Sequence, residues 1–218
     1  MPPDLHFAVE SAEPQLLAAA PAIALKLRVE DRSTDLATIQ SVLLHCQVRI
    51  EPTQRRYAPN ERDRLFDLFG DPRDWGRTLR SMLWTHAQTV VPPFTKSITI
   101  DLPITCSYDF NIAATKYFHA LERDEVPLCL LFSGTVFYHD DAGSLQAAQI
   151  SWEREATFRL PVATWRAMMD HYYPGSVWLR VDKDLFDRLE RYKRASALPL
   201  WDQVFARLLG ASEPEAVP

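Results

Sequence analysis

The stretch Ala22-Ile23-Ala24-Leu25-Lys26-Leu27-Arg28-Val29-Glu30 alternates strictly. Successive side chains of an extended chain point to opposite faces, so Ile23, Leu25, Leu27 and Val29 share one face while Lys26, Arg28 and Glu30 share the other. That is a half-buried strand of the antiparallel kind. The same period returns from Gln40 to Pro52, with Val42, Leu44, Cys46, Val48 and Ile50 on one face and Ser41, His45, Gln47, Arg49 and Glu51 on the other. Leu43 breaks the pattern. Between the two runs, Asp31-Arg32-Ser33-Thr34-Asp35 is a polar turn of hairpin length, which predicts that the two strands pair with each other.

Working outward, Pro59 to Gly70 has acids early, apolar Leu65, Phe66, Leu68 and Phe69, and a terminal glycine, the pattern of a short helix. The turn-rich Asp71 to Gly76 leads into a strand over 78–91 that must stop at Pro92-Pro93, because proline cannot continue a central ladder. A further strand is expected over 96–105, despite Pro103. Periodicity leaves 109–121 open, since Phe110, Ala113, Ala114, Tyr117 and Leu121 fit a helix while Phe110, Ile112 and Ala114 fit a strand. Val126 to Tyr138 reads as a strand, and Gly134 inside it points to a bulge or a close backbone approach. The turn Asp140-Asp141-Ala142-Gly143 leads to its partner over 145–160.

Past Pro161 the period becomes helical, with Val162, Trp165, Met168, Met169 and Tyr172 on one face and Pro174-Gly175 as a stop. Asp182 can cap a helix to about Ala197, and Pro199 opens a last one that ends near Gly210. Strands first and helices last give an α+β fold: an antiparallel β-sandwich-like sheet with a C-terminal helical segment packed on it. The expected organisation is a mainly β region over 1–160 with a helical insertion near 59–76, a helical segment over 161–210 on the same domain, and a disordered tail over 211–218.

The chain has 218 residues, a formal charge of -5, 6 glycines and 16 prolines. Average usage would give roughly 15 glycines, which disfavours glycine-rich phosphate loops. There is no G-x-G-x-x-G, no G-x-x-x-x-G-K-[ST] and no G-x-S-x-G. Mild acidity with dispersed charge gives no reason to expect nucleic acid or a membrane surface. The start Met1-Pro2-Pro3-Asp4 lacks the basic and apolar regions of a secretory signal, so a cytoplasmic location is expected. Cys46, Cys106 and Cys129 lie far apart without a C-x-x-C pair, so they signal neither a disulfide framework nor a zinc knuckle.

The six histidines show no H-E-x-x-H or H-x-H spacing, and a solvated or hydrogen-bonded imidazole is the simpler account of His45. A cysteine in a strand usually serves as a small buried hydrophobe. Eight arginines between Arg49 and Arg80 face six acids, a nearly balanced and salt-bridged surface rather than an anion site. The six tryptophans fit either helix-to-sheet packing or, beside arginine, a protein-binding hot spot.

The strand Ser41 to Pro52 resembles an uncharacterised bacterial family of about this length, a domain of unknown function. The likeness continues through Trp75-Gly76-Arg77-Thr78-Leu79-Arg80, Trp84-Thr85-His86 and Pro92-Pro93-Phe94, and returns in Leu131 to Tyr138 and Trp165 to Tyr173. The resemblance implies genes near those of nickel-iron hydrogenases and hence an accessory or maturation role; it supplies no catalytic residues. The expected function is therefore a non-enzymatic accessory protein with no catalytic residues and no cofactor. It would bind a protein partner, such as a hydrogenase subunit or maturation factor, through Trp75, Arg77, Arg80 and Trp84. Homo-oligomers stay open, because an exposed strand edge offers a pairing surface. The alternative is a metal-handling protein or enzyme that uses His45, His86 or Cys46, and a small-ligand carrier with a sandwich cavity is a third reading.

Overall fold

The alternating run at Ala22 becomes the central strand of a three-stranded antiparallel sheet: β1 (Leu5–Pro14), β2 (Ala22–Asp31) and β5 (Ser97–Thr105) in the order β1-β2-β5. The computed structural model describes residues 2–34, 38–106, 112–140, 142–177 and 179–210. Ile23, Leu25, Leu27 and Val29 are completely buried, and each contributes roughly 1.5–3 kcal/mol to stability. Pro103 is tolerated because β5 lies at the sheet's edge. A second antiparallel sheet holds β3 (Thr38–Ile50), β4 (Met82–Val91), β6 (Glu125–His139), β7 (Leu145–Gln149) and β8 (Glu155–Pro161). Its order is β4-β3-β6, with β7 and β8 one after the other on the far edge of β6. The apolar faces of both sheets join one core, in which the rings of Phe7 and Phe132 stack at 4.3 Å.

The hairpin expected between the first two alternating runs does not form. Both edges of β2 are taken by β1 and β5, and both edges of β3 by β4 and β6. The polar turn instead leads from one sheet to the other. It is pinned at its start by the buried Asp31 carboxylate, which accepts from the backbone N–H of Asp4 and of Ser33 and from the Ser33 hydroxyl. Alternation reports which face of a strand is dry; it does not report which strand lies beside it. β1 itself was outside the expectation, although Leu5 and Phe7 alternate with polar neighbours into the core.

The helix expected over 59–70 divides at Leu65 into α1 (Pro59–Arg64) and α2 (Phe66–Phe69), and Gly70 ends the second at φ +72°. A helical turn, α3 (Trp75–Thr78), occupies the start of the strand expected over 78–91, which begins at Met82. The ambiguous segment is helical where it is described, as α4 (Ile112–Ala120); residues 109–111 lie outside the described residues. The partner expected over 145–160 is broken into β7 and β8. α5 (Val162–Tyr172) buries Val162, Trp165, Met168 and Met169 in the core, the face expected of it. These elements give the α+β class with antiparallel sheets and C-terminal helices.

Gly134 is the close approach expected of it. At φ +140° a Cβ would stand 2.0 Å from the Leu43 carbonyl oxygen, so only glycine lets β6 lie this close to β3. A buried ion pair joins the segment after β3 to the start of β6. Arg55 donates twice to the Glu61 carboxylate, at 3.1 and 3.0 Å, and also to the carbonyls of Arg123 and Glu125. Glu61 completes its shell with the N–H groups of Ala58 and Glu122. Burial pushes its carboxyl up, yet the Arg55 hydrogen bonds and these backbone donors outweigh that and hold it below its ordinary value.

The chain divides into two units, residues 1–176 and 177–218. The second contains α6 (Lys183–Ala195), capped by the Asp182 carboxylate, and α7 (Trp201–Gly210). Within it Phe186 packs on Trp201 at 5.3 Å. The tail 211–218 lies outside the described residues. No described helix is long and apolar enough to cross a membrane.

Candidate functional site

The register of the five-stranded sheet determines what its outer face presents. Leu43 lies between Val90 and Thr135, His45 between Gln88 and Ser133, Gln47 between His86 and Leu131, and Arg49 between Leu83 and Cys129. On the far edge of β6, Gln149 continues the first row, Glu155 the third and Thr157 the fourth. Only Arg49 and Glu155 among these positions carry a formal charge, in a chain where 24% of residues are charged. Val90 is 61% exposed, and Leu43 and Leu83 are exposed as well.

The gap between β7 and β8 completes this face. Ile150 N–H donates to the Gly134 carbonyl and Phe132 N–H donates to that of Arg154, both at 2.9 Å, so Ser151, Trp152 and Glu153 stand opposite the single Ser133, two more than the ladder takes, and loop out of it. The loop stands Trp152 at 85% exposure beside a depression of 390 Å³, walled by His45, Gln47, His86, Gln88, Leu131 and Ser133. Besides the Trp152 indole and the Cys46 thiol, the hydrogen-bonding side chains of this lining are amides, imidazoles and a hydroxyl. An uncharged surface with an aromatic anchor is cheap to dry, which is the character of the centre of a protein interface.

The residues expected to form an interaction surface divide between inside and outside. Trp75 is buried, with its indole N–H donated to the Gly70 carbonyl at 3.0 Å and its ring edge-on to Tyr57 and Phe69. Trp84 is buried against Phe118 at 4.9 Å. Arg77 and Arg80 are exposed, Arg77 beside Asp74 and Arg80 donating to the Leu79 carbonyl. The two indoles therefore belong to the core, and only the arginines face solvent. A bulge between Val48 and Arg49 explains Trp84, because it turns Trp84 and Thr85 inward together and no alternation rule anticipates that.

His45 and His86 do share a face, at diagonal positions of β3 and β4, whereas Cys46 points into the core. Burial pushes the Cys46 thiol up to about 12, and does the same to Cys106, so both stay protonated and unreactive. Among the described residues no group of three or more histidine, cysteine, aspartate and glutamate side chains is placed to hold a metal ion. Trp152 was missed by sequence reasoning. Its signal was an indole among Ser151, Glu153 and Arg154, a polar break inside a run otherwise read as one strand.

An α+β sandwich with one outer sheet face that is sparsely charged at its centre is thus the class that fold and site define. The chain belongs to DUF6084, a family of unknown function, whose model matches residues 2–217. No curated protein matches it. Among solved structures, a β-glucosidase from Kluyveromyces marxianus is similar at a TM-score of 0.25 and 9% identity; the match covers 71% of this chain and 14% of that one.

Proposed function

We propose that the protein is a non-enzymatic accessory protein that binds another protein through the outer face of its five-stranded sheet. One observation carries this reading: exposed Leu43, Leu83, Val90 and Trp152 stand on a face whose four central rows of strand positions hold only two charges, Arg49 and Glu155. Apolar side chains left in water on such a face lose their hydration when a partner covers them, and few charges need to be desolvated at the same time. A hydrogenase subunit or maturation factor is the partner suggested by the family resemblance. The test is affinity capture from the native host with wild type and Val90→Glu in parallel. The reading expects a specific protein that wild type retains and Val90→Glu loses; capture that is indifferent to Val90→Glu would overturn it.

A second reading, metal handling, is favoured by the placement of His45 and His86 at diagonal positions, roughly 7–8 Å apart along the backbone and within reach of long side chains. Elemental analysis of protein purified without chelators tests it. Stoichiometric metal that is lost in His45→Ala and His86→Ala supports it, and metal-free protein removes it.

A further inference from the structure

We infer that one partner of this face is a second copy of the chain, with Trp152 of each copy seated in the depression of the other. The inference rests on the binding face proposed above and names an occupant for it.

A closed dimer needs a surface complementary to itself: a protrusion and a recess on the same face, with no net charge to repel its own copy. Trp152 is the protrusion, 85% exposed on its three-residue loop at the β7–β8 edge. The recess spreads from it over β6, β3 and β4, where His45, Gln88 and Ser133 border the 390 Å³ depression and Trp152 forms one wall. That volume accommodates an indole. A two-fold axis that runs along β6 exchanges the β3 column with the β7–β8 column and keeps each row in place. Trp152, looped out level with Ser133, then comes over the other copy's His45. The imidazole and amide groups of the recess offer acceptors to the indole N–H, which an apolar pocket could not do.

The charges agree with this axis. Glu155 is level with Gln47, one step along the strand from Arg49, so the exchange brings each copy's Glu155 towards the other copy's Arg49. Three columns of four rows span roughly 400 Å² of flat sheet per copy from ordinary strand spacings. A standard interface covers about 800 Å² per partner, so the dimer is reversible rather than obligate. Val90, on the β4 column, falls outside the overlap.

Sedimentation velocity of the full chain over a range of concentrations tests the inference. A mass that rises from 25.0 kDa towards twice that value is expected. Trp152→Ala, which empties the protrusion, and Ser133→Trp, which fills the recess, should each raise the dimer dissociation constant at least ~10-fold. Both positions are exposed, and an unchanged circular dichroism spectrum and melting temperature verify that each variant folds. A chain that stays at 25.0 kDa throughout, or a dimer indifferent to both variants, would overturn the inference. Neither outcome touches the proposed heterologous partner, whose test is the Val90→Glu capture.

Discussion

The two outer faces of the sandwich are built from antiparallel strands with the same alternation, yet they treat charge in opposite ways. On the three-stranded sheet, Lys26 of β2 reaches Asp101 of β5 at 2.8 Å and Glu13 of β1 at 3.5 Å, while Arg28 lies near Glu10 and Glu30. Thr99 donates to Glu10 on the same face. Such exposed pairs add little stability, but they keep the face soluble and give like-charged neighbours a reason to stay away. On the five-stranded sheet the equivalent positions hold Leu43, His45, Gln47, His86, Gln88 and Val90. The pairs of the first face are satisfied within the chain, whereas the second leaves its indole and three aliphatic side chains in water. The first face is finished by its own contacts; the second is the one on which the proposed partner would bury apolar surface.

Substitutions in each region sharpen the contrast. The largest effect is expected from Gly134→Val, which puts a side chain onto the Leu43 carbonyl in the middle of the five-stranded sheet. Positive φ and the forced separation of β3 from β6 should cost on the order of 5 kcal/mol, read as the loss of a cooperative unfolding transition. Next is the buried pair beneath the end of the same sheet. Glu61→Ala strands Arg55 without its counter-ion and should cost about 3–5 kcal/mol in urea unfolding. The Glu61 carboxyl is held below its ordinary value, so its contribution is complete above the unfolded-state value of about 4.3 and fades as pH falls through the folded one. Wild type should therefore lose its advantage over Glu61→Ala as unfolding is repeated from pH 5 downward.

A smaller effect on stability, with a large one on binding, separates the two faces. Val90→Glu should stay within about 0.5 kcal/mol of wild type in unfolding, because the side chain already faces water. It should nevertheless abolish capture of the partner. Lys26→Ala is its counterpart on the ion-paired face: a slight loss of stability that vanishes at high salt, with capture unchanged.

How much of this was readable beforehand follows from what periodicity encodes. The buried faces of β2, β3 and α5 were legible because Ile23 to Val29, Val42 to Ile50 and Val162 to Tyr172 repeat with the period of their element. Gly134 was legible because a glycine inside a run of β-formers has few other uses. Partner choice was not: β2 and β3 follow each other in sequence and lie in different sheets, since pairing depends on which edges other strands already occupy. The burial of two of the expected interaction residues was not legible for a related reason. Trp75 and Trp84 stand next to arginines in the sequence, but tertiary packing against Tyr57 and Phe118 draws the indoles inward. Among the described residues the indole left exposed, Trp152, owes its exposure to three residues that miss the ladder.

The central claim, that the five-stranded sheet carries the binding face, is tested most directly by photo-crosslinking in the native host. A photoreactive residue is placed at Gln88 on that face and, in a second protein, at Thr99 on the ion-paired face; both positions are exposed. The account expects a discrete crosslinked protein from position 88 and none from position 99. A discrete product from position 99 alone, or none from either, would contradict it.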